Sequence, residues 1–182
     1  MGVPYPPQQS VYTPGGIATI ASATMTRPAD TTAYAAGDLV ANSTTAGSVT
    51  GLVFSAAVRL NENYRIEALR LRKSDPSLTN ASFRVYICRA LPTLTVGDNG
   101  AFNASGVLAL DSIQHVIEWF DVTMARSGVA GAFGRGVPNI GGAVALSPVD
   151  PSTTLYGLIE ATAAYTPASG EAFNCILEGQ WS

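Results

Sequence analysis

Two stretches of this chain alternate apolar and polar side chains with a period of two, and almost nothing in it keeps a helical period. In residues 64–73, Leu69 and Leu71 fall on one side and Arg70 and Arg72 on the other. In residues 82–90, Phe83, Val85 and Ile87 oppose Arg84, Tyr86 and Cys88. A period of two places successive side chains on opposite faces of a strand, so both segments predict half-buried β-strands. Turn residues separate the apolar runs: Asn61-Glu62-Asn63, Ser74-Asp75-Pro76-Ser77 and Asp98-Asn99-Gly100. A chain punctuated in this way folds as β-structure.

The remaining segments fit the same scheme. Residues 26–41 predict a connector: Pro28 has no amide to donate and closes a first strand over 17–25, while Asp30-Thr31-Thr32 and Ala36-Gly37-Asp38 place turns on either side of Tyr34. Residues 41–51 form a Ser/Thr/Gly loop, and 52–60 form a continuous apolar strand. Asp98-Asn99-Gly100 opens one helical turn around Ala101 and Phe102. Residues 107–110, 115–123 and 143–146 are further strands, and 124–142, with six glycines, is a long flexible loop. Two last strands, 153–165 and 171–178, are joined as a hairpin through Thr166-Pro167-Ala168-Ser169-Gly170. About eight strands with little helix predict a single all-β sandwich of jelly-roll type over 17–182. Residues 1–16 precede it, with Tyr5 and Tyr12 among Pro4, Pro6, Pro7 and Pro14; they read either as a plain tail or as an extended arm lying on a neighbour.

Charge then bears on function. Only 13% of the residues are charged, while 47% are hydrophobic, and nine of the ten basic residues are Arg, with Lys73 the one Lys. Interfaces favour Arg and avoid Lys, so this balance predicts an oligomer or a subunit of something larger. The net charge of −3 argues against nucleic acid as partner. It is uneven, at +4 over residues 59–89 and −7 elsewhere. That basic segment, with Arg70, Arg72 and Lys73 at its centre, is either a solvated face of cross-strand pairs or a contact patch for an acidic neighbour. The N-terminal residues have neither the basic nor the apolar region of a secretory signal, and no apolar run is long enough to span a membrane, which predicts a chain made in a reducing cytoplasm. Cys88 and Cys175 then read as buried free thiols.

A search for chemistry returns no catalytic or cofactor signature. His115 and Glu118 fall on opposite faces of a strand and cannot share a metal. The cysteines lack zinc spacing, Asp98-Asn99-Gly100 lacks the remaining ligands of a calcium loop, and the glycines of 134–142 lack the Lys-Ser/Thr ending of a phosphate loop. Glu118, Asp121 and Glu160 are the carboxylates from which a glycosidase pair would have to come. The expectation is a protein that is not an enzyme and takes no metal or other cofactor.

Three segments, TRPADTTAYAAGDLVA at 26–41, ICRALPTLTVGDNGAFN at 87–103 and LYGLIEATAAYTPASGEAF at 155–173, carry a resemblance. In order and character they are similar to virion structural proteins of tailed bacteriophages, the capsid decoration, cement or head-fibre-like subunits. The resemblance implies a jelly roll on the outer surface of the virion head. It implies the major capsid protein as partner, self-association as a homotrimer, and no role for nucleic acid or membrane. Candidate contact residues are Tyr5, Pro6, Pro7 and Tyr12 in the arm, with Arg70, Arg72 and Lys73 in the basic segment. The other reading is a carbohydrate-binding jelly roll of a phage fibre, or another head or tail component, using Trp119 and Trp181; both tryptophans read from sequence as packing residues.

Overall fold

A computed structural model describes residues 18–55, 64–102, 116–128, 130–139, 144–146 and 154–181. Among these there are eleven strands and no α-helix; the one helical element is a 3-10 turn at Ala46–Ser48. The strands are β1 (Ala18–Thr26), β2 (Asp38–Val40), β3 (Leu52–Phe54), β4 (Tyr64–Lys73), β5 (Ser82–Cys88) and β6 (Val116–Thr123). They continue with β7 (Arg126–Gly128), β8 (Gly131–Gly136), β9 (Val144–Leu146), β10 (Leu155–Ala161) and β11 (Ala172–Trp181). One sheet runs β1-β11-β4-β8-β7, with β9 also pairing β4; the other runs β2-β10-β5-β6, with β3 also pairing β10. Every pairing is antiparallel. The two sheets pack face to face as a β-sandwich.

The alternation seen in sequence is what fills the space between them. Leu69 and Leu71 of β4, Phe83, Val85 and Ile87 of β5, Phe120 and Val122 of β6, and Phe173, Cys175 and Leu177 of β11 form one core. Phe83 sits at its centre, edge-on to both Tyr165 and Phe173 at 5.3 Å between centroids. A second apolar cluster lies on the far side of the β2-β10-β5 sheet. There Leu39, Ala41, Val49, Leu94, Phe102 and Leu158 bury one another, with Tyr86, Leu91 and Val96 at the margin. The segment carrying Leu94 and Phe102 therefore covers that sheet's outer face. Among the described residues no segment covers the outer face of the opposite sheet.

Three sequence expectations are corrected by the fold. Residues 124–142 are not a loop throughout, since β7 and β8 form an antiparallel ribbon inside that stretch. Its glycines permit close approach: a Cβ on Gly134 would lie 2.3 Å from the Thr123 carbonyl oxygen, and one on Gly136 would lie 2.8 Å from that of Asp121. The strand passes so close to β6 that a side chain has no room. The expected hairpin of the last two strands is also wrong, because β10 and β11 belong to different sheets. The residues between them cross the edge of the sandwich, anchored midway by a bridge between Tyr34 and Tyr165. The turn at Asp98-Asn99-Gly100 is present, with Asn99 at φ 60, but Ala101 then bridges Asp38 instead of starting a helical turn. The strand expected over 52–60 is seen as β3 over Leu52–Phe54, and 56–63 lie outside the described residues, as does the strand expected at 107–110.

That tyrosine bridge joins two buried ionic networks. The rings stack at 6.3 Å with 7° between planes. On one side the buried Arg27 donates Nε to the Tyr34 hydroxyl at 2.7 Å and Nη2 to Asp98 at 3.0 Å, and Tyr34 in turn donates to Asp98 at 2.6 Å. Asp98 also accepts from the Ala41 amide at 2.8 Å, and Arg27 Nη1 reaches the Asp30 carbonyl at 2.7 Å. On the other side Lys73 donates to Tyr165 at 3.0 Å, Glu171 at 3.2 Å and Asp75 at 3.1 Å, and Tyr165 donates to Glu171 at 2.6 Å. A buried charge is tolerated only when paired and hydrogen-bonded, and each of these is.

Candidate interaction surface

Antiparallel register decides which side chains share the open face. Residues directly opposite on neighbouring strands point the same way. One row across the sheet therefore reads Asn174 on β11, Arg72 on β4, Phe133 on β8 and Arg126 on β7. The next row reads Ile176, Arg70 and Arg135. Together Arg70, Arg72, Arg126 and Arg135, with Ala125, Phe133 and Gly134, line an open concavity of about 550 Å³. Phe133 is 42% exposed and brings an aromatic ring to the same surface.

The electrostatics of this face are lopsided. Glu178 lies in the sheet between two arginines, taking Arg135 Nε at 3.0 Å and a hydrogen bond from Arg70 Nη2. Those two guanidiniums share one carboxylate. Among the described residues Arg72 and Arg126 have no carboxylate partner, and they flank the Phe133 ring in the same row. Four arginines line the concavity, and among the described residues the one carboxylate bonded to any of them is Glu178.

Arg70 and Arg72, singled out in the sequence, thus stand together on an open face. Lys73 does not join them. The same alternation that turns Arg72 outward turns Lys73 inward, where its side chain is fully buried against Glu171 and Tyr165. Tyr5, Pro6, Pro7 and Tyr12 lie outside the described residues. The structure adds Arg126, Arg135 and Phe133, which the sequence reading passed over because they sit in the glycine-rich stretch. The spacing of Phe133 and Arg135, two apart with a glycine between, was the available sign of a strand.

The other outer face carries a smaller polar group. Trp119 of β6 is not in the core but lies opposite Tyr86 on the outer side of its sheet, with the Arg84 guanidinium 5.9 Å from its ring centre. Arg84 and Asp121 form a two-point pair at 2.6 and 3.1 Å, and Asn139 reaches Asp121 at 3.2 Å. Of the three carboxylates considered for hydrolysis, Asp121 and Glu160 fall in one row on this face with Arg84 between them, and Glu118 stands apart on the opposite face of the sheet. Glu118 is buried, accepting the amides of Trp119 and Asn139, Asp121 is held by Arg84, and Glu160 accepts from Tyr86 at 2.5 Å. Burial and Glu160 both push the Tyr86 phenol well up, so it stays a proton donor. His115 and the side chain of Trp181 are outside the described residues.

Compared with known proteins, the sequence matches no family model and no curated protein.

Proposed function

We propose that the chain is a virion structural subunit: a capsid decoration or cement protein of tailed-bacteriophage type, bound to the major capsid protein on the outer surface of the head. The observation that carries this reading is strand order. Lettered B to I in chain order, the strands β1, β2, β4, β5, β6, β8, β10 and β11 fall into a B-I-D-G sheet and a C-H-E-F sheet. That order supports a jelly roll, an architecture shared by viral capsid and lectin domains. The three sequence segments that resemble phage decoration subunits favour the capsid branch, and the open arginine-bearing face gives such a subunit a surface to bind with. The reading has no catalytic step and no cofactor. It expects a homotrimer, and an arm over residues 1–16 that adds to the contact through Tyr5 and Tyr12.

The test is co-sedimentation with heads that lack the protein, using the full chain and a chain without residues 1–16. Saturable retention of the full chain, reduced by the deletion, is expected. Failure of the full chain to sediment with heads would remove the capsid reading, and equal retention of both chains would remove the arm from it. A second reading keeps one specific observation: Trp119 beside Arg84, Asp121 and Asn139 has the composition of a sugar platform. Glycan-array binding abolished by Trp119→Ala would favour it.

A further inference from the structure

We infer that the four-arginine concavity is the docking site for an extended acidic segment of a partner protein, its carboxylates held by Arg72 and Arg126 and an apolar side chain covering Phe133. This stands on the surface itself and not on the virion reading. The carboxylate specificity follows from the chemistry already installed there. Glu178 shows how a carboxylate seats among these guanidiniums, satisfying Arg70 and Arg135 together. Arg72 and Arg126 present the same planar donors in the neighbouring row, with no carboxylate partner among the described residues. Arginine presents a rigid fork that matches a carboxylate at two points, a geometry lysine lacks.

Three features favour a peptide over a nucleic acid. The four arginines are gathered around one concavity of about 550 Å³ and not strung out as the long basic track that a phosphate backbone follows. The rest of the chain is net negative and would repel a long polyanion. The charges surround an exposed aromatic ring, which suits a segment mixing acidic and apolar side chains. The site also borders an available strand edge. Among the described residues β7 pairs only with β8, so Arg126–Gly128 offer backbone donors and acceptors to one more extended segment.

The experiment is fluorescence anisotropy on the intact protein, with a fluorescein-labelled pentapeptide of Asp and Glu around a central Leu as probe. Comparisons are the same peptide with Asn and Gln in place of the acids, and a single-stranded oligonucleotide of equal charge. Saturable binding of the acidic peptide is expected, weakening with salt, at least ten-fold weaker for Arg72→Gln/Arg126→Gln, and unchanged for Arg65→Gln, an exposed arginine outside the concavity. Circular dichroism checks that each variant is folded. Should the double variant fail to fold, Arg126→Gln alone, on the edge strand, is expected to lose about three-fold. No saturable binding up to millimolar peptide, equal binding by the arginine variants, or tighter binding of the oligonucleotide would each overturn the assignment.

Discussion

Arg27 spends every one of its donors inside the protein, and its removal should be felt more than that of any surface arginine. The buried guanidinium holds Asp98, Asp30 and the Tyr34 hydroxyl, and burial opposes its charge while those hydrogen bonds outweigh that and raise its pKa. Arg27→Ala would leave Asp98 buried without its cation, a loss on the order of 3–5 kcal/mol by urea unfolding. Tyr34→Phe removes one donor and one acceptor and should cost about 1–3 kcal/mol. The tyrosines also set the response to alkali. Burial, reinforced by Asp98 for Tyr34 and Glu171 for Tyr165, raises both phenols well above their ordinary 10.0. Burial alone pushes the Cys88 thiol up to about 12 and also raises Cys175. A raised pKa in the folded state means the unfolded chain gives up its proton first, so stability is complete below the ordinary values and falls as pH rises beyond them. Stability should therefore hold up to about pH 9 and decline steeply beyond pH 10. The doubly substituted Tyr34→Phe/Tyr165→Phe protein, though less stable at neutral pH, should show a shallower alkaline decline in denaturant midpoint.

At the level of strands, the glycines of β8 make the sharpest prediction. Gly134→Ala forces a methyl to within 2.3 Å of a backbone carbonyl on β6, and the two sheets must part to admit it. A destabilisation of about 1–3 kcal/mol is expected, read from the shift in urea midpoint. Gly47→Ala, in the 3-10 turn with open space around it, should be neutral or stabilising by up to about 1 kcal/mol. The same glycines explain what sequence could and could not reveal. Strands β4 and β5 were readable because Leu69, Leu71, Phe83, Val85 and Ile87 alternate with larger polar residues. In β8 the inward positions are Ala132, Gly134 and Gly136, so the apolar half of the alternation is missing. Half of the arginine face was lost with it. The period that turns Leu69 and Leu71 inward turns Lys73 inward too; what nothing local announces is that Glu171 and Tyr165 wait across the sheet to pair it. The supposed hairpin failed for a related reason: turn residues say that the chain bends, not which sheet it bends towards.

For the molecule as a whole, the closed face and the open face make different demands. One sheet is capped by its own Leu94–Phe102 segment, whereas the other shows solvent an aromatic ring and four arginines. Under the decoration reading, light scattering coupled to gel filtration should give a mass near three times 18.8 kDa, and a monomer at high concentration would reject the trimer. The position of β11 carries a further consequence. Although it is the last of the eleven described strands, it lies between β1 and β4, with ten residues paired along most of their length on both sides. During synthesis, then, the first strand must wait for the last with its edge unsatisfied, and neither sheet edge nor core can close on a partial chain. A ribosome-tethered product ending before residue 172 should be trapped by chaperones and cut by protease along its whole length, and resistance should appear in one step once the final strand has emerged.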